Sequence, residues 1–300
     1  MKLLITGSNG QLGQELQKIL RQGYSELGAL PQEMKNAVVV AIDIEALDIS
    51  DMAATRAFVA KEKPGVIFNC AAYTNVDGCE TNRDMAFKAN AVGARNLAIA
   101  VEETGAKLVH VSTDYVFPGD RDKPYTEWDI KSPQSAYGYS KHLGEEYVRE
   151  FCKRYFIVRT AWLYGYIGKN FVKTILKTGC RRGKLTVVND QRGNPTSAAD
   201  LAHHLLKIAA SEEYGVYHCT NNGECTWYEF ACEFVRLAGF DCEITPCTSE
   251  EFPSLTKRPK YSSLDNMMLR CIAGDEMRDW KDAIAAYMAH YDKETGEIQP

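Results

Sequence analysis

The sequence predicts an α/β fold, in which a doubly wound parallel sheet carries a smaller C-terminal lobe. Short runs rich in β-branched residues alternate with longer amphipathic stretches through the first two-thirds of the 300 residues, as in successive strand–helix–strand units. The runs are apolar without interruption, as expected of strands that are covered on both faces. Beyond Asn221 the alternation gives way to shorter elements, which indicates the second lobe.

The individual elements follow from the same periodicity. The candidate strands cover residues 3–6, 38–42, 66–69, 107–111, 156–158 and 185–188. One candidate helix begins near Gly10, and four others cover about 53–62, 83–103, 136–150 and 277–290. The polar segment 21–36 holds Gly23, Gly28 and Pro31, and predicts an extended surface loop.

Composition and charge exclude several classes of protein. Hydrophobic residues make up 45% and charged residues 25% of the chain, which is ordinary for a globular protein. The net charge of −5 gives no electrostatic reason to bind nucleic acid. No apolar run approaches the ~18 residues of a membrane span, and the short run at 1–7 predicts a buried first strand rather than a signal peptide.

Ten cysteines are scattered along the chain without a C-x-x-C pair. This spacing supports neither a zinc knuckle nor a thioredoxin-like motif. Reduced, buried thiols are the default for such a chain, so the sequence predicts a cytoplasmic protein.

A glycine-rich loop, Gly7-Ser8-Asn9-Gly10-Gln11-Leu12-Gly13, follows the first strand and opens the first helix. Glycines at such a corner let the backbone approach a pyrophosphate, and the helix N-terminus favours its charge. The spacing is G-x-x-G-x-x-G rather than the G-x-G-x-x-G of the dinucleotide fingerprint. Its position still favours a Rossmann-like, dinucleotide-binding domain over an ordinary strand–turn–helix corner.

Asp43 ends the second predicted strand, where an acid can bind the adenosine ribose of a dinucleotide. It lies 30 residues beyond Gly13, further than the usual ~20, and the polar loop 21–36 accounts for the difference. A carboxylate there would repel a 2′-phosphate and favour NADH over NADPH. The alternative is a solvated acid at the strand end. Asp48 and Ile49 follow and could face the adenine.

Tyr137 and Lys141 lie four residues apart in a predicted helix and therefore share one face. A phenol, with an ordinary pKa of ~10, is a poor acid or base at neutral pH unless a cation favours its anion. Lys141 supplies such a charge and can also bind the nicotinamide ribose. Taken alone, the pair could equally be a solvated surface pair.

A hydroxyl-bearing loop at 112–117 follows the strand at 107–111, at the edge where doubly wound sheets bind their ligands. A hydroxyl group there could hydrogen-bond a substrate carbonyl and polarise it. The glycine loop, the hydroxyl loop and the Tyr–Lys helix occur in the order that this fold requires. Their joint occurrence favours a nicotinamide-dependent oxidoreductase.

With these motifs, the chain resembles the extended short-chain dehydrogenases, and among them the dTDP-4-dehydrorhamnose reductase family. The resemblance covers nearly the whole chain. The glycine loop and the segments 69–77, 112–117 and 137–141 are typical of the wider superfamily. The segments 159–165, 190–196 and 257–262 separate the reductases from sugar-nucleotide epimerases and dehydratases.

The resemblance implies specific roles for individual residues. Thr113, Tyr137 and Lys141 would form the catalytic triad, and the sugar would contact Thr113, Asp114, Tyr137 and Trp162. With the glycines and Asp43, it implies an NADH or NADPH site lined by Gly7, Gly10, Gln11, Leu12, Gly13, Asp43, Asp48, Ile49, Ala71, Ala72, Tyr73, Thr74, Tyr137 and Lys141.

Other positions stay open between two interpretations. Trp162 is either a sugar contact or a core aromatic residue. Asn90 is either the relay asparagine of the superfamily or a satisfied amide inside a helix. Arg159 and Arg258 either reach nucleotide phosphates or pair with surface acids.

The resemblance also raises the questions of a metal and of a dimer. Some relatives bind magnesium at a dimer contact, and Glu15 stands at a matching place. Asp200 is offset by one residue from the expected second acid, so magnesium is possible but no metal site is predicted. A homodimer is compatible with the resemblance.

The resulting hypothesis is the NAD(P)H-dependent reduction of dTDP-4-dehydro-L-rhamnose at C4 to dTDP-L-rhamnose. Residues 1–165 with about 185–218 would bind the dinucleotide, and about 166–184 with 219–300 would form the substrate-binding lobe. One alternative is a nucleotide-sugar epimerase of the same superfamily. Another is a non-catalytic regulatory subunit of the methionine adenosyltransferase type, which would not require an intact triad.

Overall fold

The computed structural model describes residues 1–299 and is built on a six-stranded parallel sheet. Its strands are β1 (Lys2–Thr6), β2 (Val38–Ile42), β3 (Val66–Asn69), β4 (Lys107–Thr113), β5 (Tyr155–Thr160) and β6 (Gly215–His218). Their spatial order is β6-β5-β4-β3-β1-β2, and all pairs are parallel. The order of the strands reverses between β1 and β3, so a crevice opens at their carboxyl ends. The predicted doubly wound sheet is confirmed.

Helices cover both faces of this sheet, which explains the uninterrupted apolar strands. The helices are α1 (Gln11–Gln22), α2 (Met52–Glu62), α3 (Val76–Thr81), α4 (Arg83–Phe87), α5 (Gly93–Thr104), α6 (Ala136–Phe151), α7 (Phe171–Arg182), α8 (Ala198–Ala209), α9 (Trp227–Ala238) and α10 (Trp280–Met288). Leu3 and Ile5 of β1 pack with α1 and α8, whereas Leu4 packs with α2, α5 and α6. Alternate residues of one strand therefore supply two separate hydrophobic cores.

The predicted helix at 83–103 contains a local irregularity. It is formed by α4, a π-helical turn at Lys88–Val92, and α5. Such π turns insert one extra residue into a helix and are frequent at functional sites. Here the turn carries Asn90, which contacts the loop beyond β3, as described below.

A third hydrophobic core lies outside the sheet and is rich in aromatic residues. It joins α7, α9 and α10 and includes Phe230, Phe234 and Trp280. The predicted strand at 185–188 exists as Lys184–Val188, but it pairs in parallel with Glu243–Cys247 rather than with the central sheet. One edge of the central sheet is formed by β6, which was not among the candidate strands. The division into a dinucleotide domain and a substrate lobe stays a prediction.

Two smaller expectations change. The segment 21–36 is not simply an extended loop, because Tyr24–Ser25 pairs with Gly28–Ala29 and a 3₁₀ turn covers Gln32–Met34. The ten thiols are free, but only those of Cys79, Cys152, Cys219 and Cys225 are buried, while Cys180 and Cys271 are exposed. Among residues 1–299, no helix combines the length and apolar character that a membrane span needs.

Candidate active site

The glycine loop fits tightly against the loop that follows β3. Gly7 has a φ of +64°, and a Cβ atom there would lie 2.6 Å from the backbone nitrogen of Ala71. A Cβ atom at Gly13 would lie 2.4 Å from the carbonyl oxygen of Gly7. A Cβ atom at Gly10 would meet only that oxygen, at 3.3 Å. Gly7 and Gly13 are therefore required by the fold itself, whereas Gly10 faces open space at the N-terminus of α1.

Asp43 reaches the glycine loop despite its distance in sequence. Its Oδ2 accepts a hydrogen bond from the backbone N–H of Asn9 (2.9 Å), and its Oδ1 accepts one from the N–H of Ile44 (2.9 Å). The carboxylate thus borders the predicted dinucleotide site. Its role toward a ribose stays a prediction.

The segment Ala71 to Thr74 leaves β3 and is held by Asn90. The side-chain oxygen of Asn90 accepts from the N–H of Tyr73 (2.7 Å), and its amide nitrogen donates to the carbonyl of Tyr73 (3.2 Å) and to the hydroxyl of Ser140 (3.0 Å). Asn90 is buried and satisfied, and it also connects the loop beyond β3 to α6. The structure therefore supports a positioning contact for this residue.

The remaining predicted cofactor residues have different environments. The side chains of Leu12 and Ile49 are buried in the two cores, so only their backbone could contact a ligand. Asp48 is exposed and accepts a hydrogen bond from the N–H of Ser50. Gln11 accepts a hydrogen bond from Asn170 at 3.0 Å and is half-buried.

The predicted triad converges at the carboxyl end of β4. Thr113 is the last residue of β4, and Ser135 caps α6 by accepting from the N–H of Gly138. This cap places Tyr137 in the first turn of α6, where its phenol adjoins the Thr113 hydroxyl. One turn later, Lys141 donates from Nζ to the carbonyl oxygen of Val111 (2.6 Å). The structure thus brings all three residues to one edge of the sheet.

Burial controls the protonation of the triad. It raises the pKa of Tyr137 well above its ordinary value, although the Thr113 hydroxyl opposes the shift. The net shift is upward because burial outweighs the opposing hydrogen bond, and the expected lowering of this pKa by Lys141 stays a prediction. Burial also lowers the pKa of Lys141 to about 8, against the opposing charge of Glu145. Tyr137 is therefore neutral at physiological pH, which suits a proton donor.

Asp114 presents an unsatisfied acceptor beside the triad. Its Oδ1 accepts from the Thr113 hydroxyl (2.9 Å), while its Oδ2 is buried without a hydrogen-bond partner. Burial raises the pKa of Asp114 to about 6, and the hydroxyls of Ser262 and Thr113 favour the ionised form. A buried carboxylate oxygen without a donor suits a ligand hydroxyl.

Trp162 is held rigidly in the same wall of the site. It adopts a φ of +47°, and its ring stacks on Trp227 with centroids 3.6 Å apart. A Cβ atom at Gly193 would lie 2.7 Å from this ring and 2.9 Å from the Ser262 hydroxyl, which adjoins Asp114. Trp162 packs against the aromatic core but is only half-buried, so part of its ring is accessible to a ligand, and its contact with the sugar stays a prediction.

A basic cleft adjoins the triad on its outer side. The ring of Tyr115 packs edge-on against Tyr137, with centroids 5.5 Å apart. Arg258 donates to the Tyr115 hydroxyl (3.3 Å) and pairs with Asp77 (3.3 Å). The lining of the cleft beyond Tyr115 includes three basic residues, Lys257, Arg258 and Lys260, and one acid, Asp120.

Arg159 does not take the predicted role at a phosphate. It is fully buried and donates two hydrogen bonds to Glu145, at 2.8 and 2.7 Å. The alternative of a surface acid is also wrong, because Glu145 is equally buried. Glu145 was not among the candidate site residues. Its spacing, four residues beyond Lys141 on the same helix face, is the signal that could have found it.

The possible magnesium ligands are engaged by other groups. Asp200 accepts hydrogen bonds from Arg278 (3.0 Å) and Asn221 (2.6 Å), and Glu15 lies 3.5 Å from Lys18. Across residues 1–299, no group of three or more His, Cys, Asp or Glu side chains is arranged to hold a metal.

The parallel sheet, the glycine loop at its crevice and the Tyr–Lys helix define a nicotinamide-dependent oxidoreductase with a Rossmann-like, short-chain dehydrogenase fold. The family described as RmlD substrate binding domain matches residues 1–293. The chain belongs to this family.

Individual relatives match over almost their full length. The spore coat polysaccharide biosynthesis protein SpsK of Bacillus subtilis is 40% identical, with 96% of each chain covered. The crystal structure of a dTDP-4-dehydrorhamnose reductase from Clostridium acetobutylicum is 49% identical, with a TM-score of 0.91 and coverage of 96% of this chain and 99% of that one. The corresponding enzyme of Bacillus anthracis, in complex with NADP, is 41% identical, with a TM-score of 0.89 and coverage of 96% and 98%.

Proposed function

We propose that this protein uses NADH or NADPH to reduce the C4 keto group of dTDP-4-dehydro-L-rhamnose to the alcohol of dTDP-L-rhamnose. The observation that carries the proposal is the meeting of Thr113, Tyr137 and Lys141 at the edge of the sheet where the glycine loop leaves β1. Family membership and the names of the two crystallised relatives support the choice of substrate.

The residues around the crevice fit a nicotinamide dinucleotide. Gly10 leaves the N-terminus of α1 open to a pyrophosphate, and Asp43 borders the place where an adenosine ribose would lie. Lys141 would bind the nicotinamide ribose. The reduced nicotinamide, when bound, supplies the hydride that the reduction consumes.

The chain's own groups handle the proton and the carbonyl. Tyr137 is neutral and donates its phenolic proton to the oxygen formed at C4. The Thr113 hydroxyl hydrogen-bonds the same oxygen and orients it. The Lys141 ammonium stabilises the phenolate that remains. The free Oδ2 of Asp114 accepts a hydrogen bond from a sugar hydroxyl, and Trp162 packs against the ring.

The basic cleft suits the nucleotide end of the substrate. Lys257, Arg258 and Lys260 provide positive charge next to Tyr115, whose ring contacts Tyr137. A diphosphate would replace Asp77 as the partner of Arg258, because a guanidinium binds phosphate oxygens in the same geometry as it binds a carboxylate. The sugar attached to the diphosphate would then extend toward the triad. We therefore propose a phosphate contact for Arg258 but not for Arg159, which is buried in its pair with Glu145.

The test is an assay of NADH and NADPH oxidation with dTDP-4-dehydro-6-deoxyhexose that has been prepared enzymatically, with the 3,5-epimerase present. We expect cofactor oxidation that depends on the epimerase, and a product with the configuration of dTDP-L-rhamnose. Oxidation without the epimerase would assign a different 4-keto sugar. Cofactor that stays bound through gel filtration, with no net oxidation, would indicate an epimerase. Co-purification with a synthetase and no turnover would indicate a regulatory subunit.

The setting that goes with this proposal is the cytoplasm, where reduced cofactors and nucleotide sugars are available. The free state of all ten cysteines supports it. Measurement of the molar mass by light scattering tests whether the protein forms a homodimer.

A further inference from the structure

The face of α6 that carries the Tyr–Lys pair continues one turn further, to a buried carboxylate. Tyr137, Lys141 and Glu145 are spaced four residues apart and therefore lie on one side of the helix. Glu145 is fully buried and accepts hydrogen bonds from Ser112 (2.6 Å) and from Arg159 (2.8 and 2.7 Å). A charge at this depth is retained only when its hydrogen bonds are complete.

These contacts attach α6 to the end of β4 at two consecutive residues. Lys141 binds the carbonyl of Val111, and Glu145 binds the hydroxyl of Ser112. The next residue of the strand is Thr113, the third member of the triad. Any shift of α6 along β4 would break both hydrogen bonds, so these bonds fix the position of Tyr137 along the strand relative to Thr113.

Arg159 extends the attachment to the next strand. In the sheet, Ser112 is the register partner of Arg159. The guanidinium also donates to the carbonyl of Glu127 (3.4 Å), lies 3.3 Å from Nε2 of His218, and packs 5.1 Å from the ring centroid of Phe117. Burial holds the pKa of His218 at about 3, so this histidine is neutral and can accept from Arg159.

The same carboxylate acts on the charge of Lys141. The titratable groups that face Lys141 are Tyr137 and Glu145 on its own helix, Cys70 beyond β3, and His110 on β4. Burial keeps Cys70 and His110 uncharged, since it raises the thiol pKa to about 12 and lowers the imidazole pKa well below its usual value. Glu145 is therefore the anion that favours the ammonium form of Lys141, and Arg159 lies beyond it.

We propose that Glu145 is a positioning residue for the reaction: through Ser112 it fixes the Tyr137 helix against Thr113, and through its charge it keeps Lys141 protonated. This inference rests on the proposed function, because the Tyr–Lys pair is its object. It assigns Glu145 two separable effects, one geometric and one electrostatic, and neither requires contact with substrate.

The decisive variant is Glu145→Gln, with Glu146→Gln as the matched control, because Glu146 is its exposed neighbour on the same helix. The pH dependence of kcat/KM is measured for both. We expect the alkaline limb of Glu145→Gln to move toward acid by about one pH unit, because the ammonium loses a nearby anion. The control should keep the wild-type limb. A variant that is merely less well folded would lose activity at every pH without moving the limb, and that result would overturn the electrostatic effect.

Ser112→Ala isolates the geometric effect. It removes the hydroxyl but leaves the charge of Glu145 and its pairing with Arg159 intact. We expect kcat to fall by about tenfold while the alkaline limb stays in place. Unchanged kcat in Ser112→Ala would overturn the geometric effect.

Two further measurements keep the test informative. If Glu145→Gln does not fold because Arg159 is left unpaired, the double variant with Arg159→Gln removes both charges, and its limb should still move toward acid. Binding of NADPH, followed by fluorescence as a function of pH, reports the charge of Lys141 without turnover. If the wild type does not turn over the sugar nucleotide, the proposed function fails. An acid shift of the NADPH-binding curve in Glu145→Gln would still support the electrostatic role of Glu145. Coincident binding curves for the wild type and Glu145→Gln would refute that role.

Discussion

Lys141 donates a hydrogen bond from Nζ to the carbonyl oxygen of Val111 over 2.6 Å, and this bond anchors a buried ammonium group at the end of β4. The ammonium lies one helical turn from Tyr137, and burial lowers its pKa to about 8. A cation whose pKa lies this near physiological pH makes the reaction sensitive to moderate alkalinity.

We expect the kcat/KM of the wild type to fall as the pH rises through about 8. Lys141 is protonated below this pKa and loses its charge above it, so the phenolate of Tyr137 is no longer stabilised. The profile should be recorded with saturating cofactor. In Lys141→Met the residual rate should have no limb in this range, and a limb that persisted there would assign the titration to another group.

Tyr137→Phe should reduce kcat by about 10²–10⁴-fold, because it removes the general acid and leaves the ring in place. Tyr139→Phe is the matched control, since Tyr139 lies two residues away on the same helix and is 56% exposed. Single-turnover measurements with both variants separate the chemical step from product release. Near-normal turnover by Tyr137→Phe would remove this residue from the mechanism.

The glycines of the phosphate loop should respond differently to the same substitution. Gly10→Ala should weaken NADH binding by about tenfold with little change in Tm, because its methyl group would enter the proposed pyrophosphate position but would contact only the Gly7 oxygen. Gly7→Ala should lower the free energy of unfolding by at least about 1 kcal/mol, because its φ is positive and its Cβ atom would meet Ala71. Calorimetry of binding and thermal unfolding distinguish these outcomes. Equal losses of stability in both variants would contradict the assignment.

Asp43 should determine the preference between the two cofactors. We expect the wild type to favour NADH, since the carboxylate would repel a 2′-phosphate. Asp43→Asn should raise the ratio of kcat/KM for NADPH over NADH by about tenfold, while Glu45→Gln, an exposed neighbouring change, should leave the ratio unaltered. A wild type that already prefers NADPH would place this carboxylate away from the ribose.

The buried histidines should make the protein sensitive to acid. The pKa of His218 is lowered to about 3 in the folded protein, against an ordinary value of 6.5. Between these values the unfolded chain binds a proton that the folded protein does not, so the free energy of unfolding decreases as the pH falls, by about 1.4 kcal/mol per pH unit for this residue. Urea unfolding from pH 7 to 4 measures the slope.

The slope should be smaller in His218→Gln, which keeps an acceptor for Arg159 but cannot take up a proton. His290→Gln serves as the control because His290 is exposed. An identical slope in the wild type and His218→Gln would show that another group causes the acid sensitivity.

Much of this site could be predicted from local patterns. The spacing of Tyr137 and Lys141 determined their common helix face, because helical periodicity is a local property. The glycine loop could be recognised because a tight junction between a strand and a helix requires glycine where φ is positive or two backbone segments are in close contact. These features depend on neighbours in sequence, so no knowledge of the tertiary structure was needed.

Long-range partners could not be predicted in the same way. Local patterns in the sequence predicted the doubly wound sheet, the glycine loop and the shared helix face of Tyr137 and Lys141. Three features became visible only in the folded chain: Arg159 pairs with Glu145, Lys184–Val188 pairs outside the central sheet, and burial raises the pKa of Tyr137. The burial of a charged group and the identity of its partner depend on which distant segments pack together. The periodicity of one segment contains no information about the segment that packs against it.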